Sequence, residues 1–261
     1  MDADDDRGQR EARSAIQERV GRATLYLLGG GRQKLPRGVG SATLLETASG
    51  RLVGLTARHV FEGDRPLQGG IRIGWFQGDD TSDSFDLEYD VPPDPSRDVA
   101  VFPIPSALDS TLRPLAIPAA SVVRWSRPPS DDTVMVSGYP DALTHREMET
   151  PTRAAFGYVG ICYFASAGDL RREPQRLRLS WTLMELFDGP GRHDLPLPDG
   201  MSGGGLWHYD NATHIAPSAI WTPWNALRLV GVQTSWSEER HALFFDPSDL
   251  WHGWFRAVLA C

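Results

Sequence analysis

Three short stretches carry residue types that can do chemistry together. GLTARHVFEG sets His59 directly after a β-type run ending in Thr56 and Ala57, PSRDVAVFPI sets Asp98 just before an apolar run, and DGMSGGGLW sets Ser202 in a glycine-rich turn before another. A serine hydroxyl is a poor nucleophile at neutral pH, so attack on a carbonyl needs an adjacent imidazole to accept its proton. A carboxylate can fix the tautomer of that imidazole and stabilise its protonated form. Taken singly, each fragment has a plain structural reading: a histidine beside a strand, an aspartate in a turn, a turn made flexible by glycine.

The elements that must bring these groups together read as β-strands. From Ala23 onward, short β-branched and aromatic runs are broken by Gly, Pro, Asp and Ser, the texture of antiparallel strands. ATLYLL, GVGSATLLET, RLVGLTARHV, IRIGWF, FDLEYDV and DVAVFPI form a first series; TVMVSGYP, AAFGYVGICYFAS, QRLRLSWTLMEL, LRLVGVQTSW and HALFFD form a second. The stretch between Pro105 and about Pro129 is rich in Pro, Ser and Ala and reads as a connection between two packed units. Residues 1–22 form an acidic extension with a frayed or short helix. Residues 23–120 and 121–245 each have strands spaced as a sandwich or a small barrel would need, and residues 246–261 read as a helix docked on the second unit. For that helix, DPSDLWHGWFRAVLA offers Asp246 as N-cap, Pro247 at the first helical position, and an apolar face of Leu250, Trp251, Trp254, Phe255, Val258 and Leu259.

Composition narrows the class. The chain has 261 residues, enough for a sizeable core, and its 26 Gly and 20 Pro favour a turn-rich, β-rich architecture. An excess of acidic over basic residues, 34 against 26, argues against nucleic acid or an anionic membrane as partner. Two cysteines, Cys162 and Cys261, give no disulfide framework, and the residues before Ala23 lack an apolar signal core. No apolar run reaches the roughly 18 residues a membrane span needs. A cytoplasmic, bacterial setting is the expectation. His193, His208 and His214 lack ligand spacing, and the glycines of LLGGGRQK lack a following phosphate signature, so neither metal nor cofactor is expected.

In the order His, Asp, Ser, the strings Thr56-Ala57-Arg58-His59, Asp98-Val99-Ala100-Val101 and Gly200-Met201-Ser202-Gly203-Gly204 resemble the trypsin and chymotrypsin family of serine proteases. GVGSATLL resembles the family's glycine-rich strand before the histidine strand, and SGYP the start of its second barrel. The resemblance implies an all-β fold of two six-stranded antiparallel barrels with a C-terminal α-helix, and a His59, Asp98, Ser202 triad. It implies backbone N–H groups of Gly200 and Ser202 as the oxyanion hole, a protein or peptide substrate, and no cofactor.

Departures from the pattern bear on regulation and specificity. Met201 stands where secreted relatives carry an aspartate that pairs with a newly cut amino terminus, so activation by terminal insertion is not expected. Pro196 stands where trypsin-like enzymes carry the pocket aspartate, so cleavage after Lys or Arg is not supported, and a small or apolar residue is the expectation there. In LVGVQTSW, the resemblance assigns Thr234, Ser235 and Trp236 to substrate binding, with Thr234 or Ser235 giving a hydroxyl that supports Asp98. The long segment 208–228 adds Trp221 and Trp224, read as core or as cover for the cleft. Two other readings stay open: a catalytically silent binding module, and a latent enzyme switched on by an activating protein partner.

Overall fold

A computed structural model describes residues 3–29, 37–62, 70–75, 85–140, 145–150, 153–157, 161–181, 185–186, 197–209 and 227–260. The first described element is α1 (Ala3–Arg22), a 20-residue helix, longer than the frayed or short one expected. Its sequence puts acidic residues in the first turn and Arg19 and Arg22 in the last, both favourable to the helix dipole. Ile16 and Val20, four apart on one face, are buried in the main core. Thr24 Oγ donates to the Val20 carbonyl at 2.8 Å and closes the helix end.

The first sheet contains β1 (Thr24–Gly29), β2 (Arg37–Glu46), β3 (Leu52–Thr56), β4 (Ile71–Gly74) and β5 (Ala100–Pro103) in the order β4-β1-β2-β3-β5, with β6 (Ile117–Pro118) running parallel to β2. Two short helices follow strands of this sheet: α2 (His59–Glu62) and α3 (Asp109–Leu112). The second sheet contains β7 (Thr133–Gly138), β10 (Ile161–Ser166), β11 (Arg171–Arg172), β12 (Leu177–Ser180), β13 (Glu185–Leu186), β14 (Gly205–Tyr209), β15 (Leu227–Ser237) and β16 (Ala242–Pro247). Its eight strands run in the order β11-β12-β16-β15-β14-β7-β10-β13, with every pair antiparallel, so it is larger than six-stranded. A separate hairpin joins β8 (His145–Thr150) to β9 (Arg153–Gly157).

Two apolar clusters account for most of the core. The larger joins first-sheet residues such as Leu25, Leu44 and Leu55 to α1 and to Met135, Trp207 and Leu229 of the second sheet. The smaller fills the second sheet, with Val136, Tyr163, Leu179, Met201, Leu206 and Phe245. Tyr26 of β1 and Tyr139, just past β7, bridge the sheets with ring centroids 5.5 Å apart.

The C-terminal helix, α4 (His252–Ala260), starts later than the sequence suggests. Asp246 is not its N-cap and Pro247 is not its first residue: both close β16, and a 3₁₀ turn over Ser248–Leu250 intervenes. The physical reason is that the Asp246 carboxylate is buried among stronger partners, described below, which outweigh a capping role. Trp251 and Phe255 of the expected apolar face are buried, whereas Leu250 is exposed. Those two aromatics lie in the larger cluster beside the first sheet, so the helix is not confined to the second. Among the described residues, no helix is long and apolar enough to cross a membrane.

Candidate active site

His59 begins α2 directly after β3. Ala57 and Val60 are both buried, which seats the short helix and turns Arg58 and His59 outward, so the His59 side chain is 44% exposed. Asp98 lies just before β5, where Val99 is buried and pins the loop. Its carboxylate grips His59 twice: Oδ1 accepts the backbone N–H at 2.9 Å, and Oδ2 lies 2.6 Å from ring Nδ1. A carboxylate only accepts, so Nδ1 carries a proton and Nε2 of the neutral ring keeps its lone pair. Burial pushes the Asp98 carboxyl up, but the ring hydrogen bond and charge of His59, its backbone N–H and the Arg58 charge together hold it below the usual aspartate value.

Ser202 sits in a tight loop before β14. Met201 N–H donates to Pro198 O at 3.1 Å, Gly204 N–H to Met201 O at 2.8 Å, and Gly203 N–H to Gln233 O of β15 at 2.7 Å. Gly200 and Gly203 have φ of 85° and 90°, the left-handed region that favours glycine. At Gly203 a side chain is also excluded by space, since a Cβ would lie 2.1 Å from both Ser41 O and Thr56 Oγ1. The N–H groups of Gly200 and Ser202, the two expected oxyanion donors, have no partner among the described residues, while their neighbours are engaged.

Two supports of this loop escaped the sequence reading. Met201 is fully buried in the second cluster, with its side chain against Gly138. Ser41 of β2 ties the loop to both sheets: its N–H donates to Ser202 O at 2.7 Å, its hydroxyl donates to Gly200 O at 3.2 Å and accepts Tyr139 N–H at 3.0 Å. Thr56 Oγ in turn donates to Ser41 O at 2.7 Å. The glycine-rich string before Ser41 was the available signal, since small residues mark close backbone approach.

Gly40 is where the histidine and serine segments meet. A Cβ there would lie 2.6 Å from Val60 Cγ2, next to His59, and 2.7 Å from Ser202 O. The side-chain and backbone hydrogen bonds of His59 run to Asp98, and the Ser202 hydroxyl carries none among the described residues.

Asp98 is supported differently from expectation. Thr234 does not reach it: its hydroxyl donates to Phe244 O at 3.4 Å, because a register irregularity between Gln233 and Ser235 aims it at β16. Ser235 is exposed. Asp246 Oδ2 instead accepts the Asp98 N–H at 2.8 Å, and Oδ1 accepts Arg97 Nη1 at 2.9 Å. Trp236 is partly buried, its ring 5.9 Å from that of Trp181. β15 runs past the last pairing with β14 at Val232, so among the described residues its 234–237 segment has a strand only on the β16 side. Pro196, Trp221, Trp224, His193 and His214 lie outside the described residues. His208 pairs with Asp132 at 2.7 Å, and among the described residues no group of acidic, His or Cys side chains is arranged to hold a metal ion.

No family model matches the sequence, and no curated protein matches it. Among solved structures, a Glu endopeptidase in complex with MPD is similar with a TM-score of 0.50 and 14% identity, covering 93% of this chain and 94% of that one. The protease of tobacco vein mottling virus gives a TM-score of 0.45 at 9% identity, over 88% of this chain and 78% of that one. The chain has the chymotrypsin-like protease fold: two largely antiparallel sheets and a C-terminal helix.

Proposed function

We propose that the chain is a trypsin-like serine endopeptidase that cleaves peptide bonds through an acyl-enzyme. The observation that carries this reading is the His59–Asp98 pair set against a loop in which the N–H groups of Gly200 and of Ser202 itself have no partner among the described residues. In it, His59 Nε2 takes the Ser202 hydroxyl proton as Oγ attacks the carbonyl carbon. The resulting oxyanion is met by the Gly200 and Ser202 N–H groups. The imidazolium, stabilised by Asp98, then protonates the leaving amine, and water repeats the cycle on the acyl-serine. The edge of β15 at Thr234, Ser235 and Trp236, which among the described residues has a strand only on its β16 side, suits an extended peptide added as a further strand.

Fluorophosphonate labelling tests it. The wild type is expected to gain a phosphonyl adduct on Ser202 and to cleave a peptide library, while Ser202→Ala does neither and loses activity by about 10⁶-fold. A folded wild type that neither labels nor cleaves overturns the reading. One observation keeps a second reading in view: the Ser202 hydroxyl is not hydrogen-bonded to His59. A latent enzyme awaiting a protein partner would label only once that partner is added.

A further inference from the structure

Asp246 carries a buried charge where the sequence shows only a helix start. It is 5% exposed on β16, and its two oxygens hold two different donors, the Asp98 backbone N–H at 2.8 Å and Arg97 Nη1 at 2.9 Å. Arg97 is equally buried, at 3%, and is fixed further by Gln175 O at 3.0 Å and by Asp94 Oδ2 at 3.1 Å. The Asp246 carbonyl accepts the Trp251 indole N–H at 3.2 Å. In the strand register Asp246 faces Val232, the residue before Gln233, whose backbone holds Gly203 and Gly204. One residue of the second sheet thus touches the backbone that aims the histidine and neighbours the strand that holds the serine loop.

We propose that Asp246 is a positioning residue for acyl transfer, its carboxylate fixing the Asp98 backbone, and through it His59, relative to the strand that holds the Ser202 loop. This rests on the catalytic reading of His59, Asp98 and Ser202. The chemistry of the junction demands a carboxylate. Both neighbours are donors, so both oxygens of Asp246 must accept; asparagine offers one oxygen and turns an N–H toward the other donor. An ion pair this deep is a costly way to gain stability, because apolar residues of similar volume serve as well or better. What apolar residues cannot do is accept the Asp98 N–H. Displacing a reacting group by a fraction of an ångström is expensive in rate even when the fold is intact.

The test compares wild type, Asp246→Asn, and the double variant Arg97→Met/Asp246→Leu, which leaves no orphan charge and keeps the question open if the single variant fails to fold. Three quantities are measured: kcat and KM on a cleaved peptide, the rate of fluorophosphonate labelling, and the downfield proton resonance of His59 Nδ1, assigned by its absence in His59→Gln. The double variant is expected to stay folded, and each variant that folds to have kcat lowered about 10- to 100-fold and KM changed less than about threefold. Labelling should slow in parallel, and the resonance should move or disappear. Wild-type kcat and an unmoved resonance in either folded variant overturn the proposal. An inert wild type would sink the protease reading alone, since the resonance still tells whether Asp246 positions the His59–Asp98 pair.

Discussion

The two arms of the site are held by different forces. The His59–Asp98 arm hangs on charge: Asp98 is fastened by Asp246, which is locked in turn to a buried Arg97. The Ser202 arm hangs on shape and neutral hydrogen bonds: a fully buried Met201, backbone pairs to Gln233, and the hydroxyl of Ser41. Charged supports fail when one partner is removed, because the other is left uncompensated in a dry interior. Apolar supports fail when volume is removed. Met201 drives a thioether into the second apolar cluster, so this arm is held by filled volume where the other is held by charge.

The sharpest way to break that contrast is at Met201. Met201→Ala should cost about 2–4 kcal/mol of stability and slow fluorophosphonate labelling, whereas Met201→Leu, of similar volume, should cost less than about 1.5 kcal/mol and label at the wild-type rate. Denaturant titration with labelling kinetics checks both. If Met201→Ala labels normally, the loop is organised by its hydrogen bonds alone and the apolar half of the comparison goes.

What could be read in the sequence follows from how local each requirement is. The placing of His59 and Asp98 beside strands and of Ser202 in a glycine turn was legible because each is a pattern contained in a few residues. The β-rich fold was legible from its short alternating runs, and Trp251 and Phe255 from helical spacing. Asp246 was not: Asp-Pro-Ser-Asp is a good helix-start string, and only a partner 148 residues away reveals another use. Ser41 is the same case, its hydroxyl meeting Gly200 across 159 residues. In α1 the helical spacing of Ile16 and Val20 is visible, but the hydrogen bonds from Arg19 to the Pro114 and Ala116 carbonyls that also dock the helix are not. Contacts at that separation leave no period in the chain to find.

Ser41 gives a smaller, finer test of the neutral arm. Ser41→Ala leaves Gly200 O and Tyr139 N–H without their hydroxyl partner, at a cost of about 1–3 kcal/mol in stability. If the hydroxyl also sets the angle of the oxyanion loop, kcat should fall about tenfold and the affinity of a peptide aldehyde, which mimics the tetrahedral state, should fall by a similar factor. Ser41→Thr keeps the hydroxyl and should recover most of both. Loss of stability with unchanged aldehyde affinity would make Ser41 a strut between sheets and nothing more.

The smallest effect separates the two carboxylates of the charged arm by the sign of their pH dependence. Burial raises Asp98, but His59 and Arg58 more than offset it, so its folded value lies below the ordinary one of about 3.9. Its contribution to stability is therefore present above about pH 3.9 and is lost as pH falls through the depressed folded value. Asp246 runs the other way: burial and the Asp98 charge together raise it more than the Asp98 N–H and Arg97 pull it down. Its contribution is present below about pH 3.9 and is lost as pH climbs through the raised folded value. Urea midpoints from about pH 2.5 to about pH 6 should thus lose their low-pH limb in Asp98→Asn and their limb just above pH 4 in Asp246→Asn. Identical changes in the two variants would mean that the carboxylates, joined through the Asp98 backbone, release protons as one coupled unit. The charged arm would then answer to pH as a single element, and no residue within it could be retuned alone.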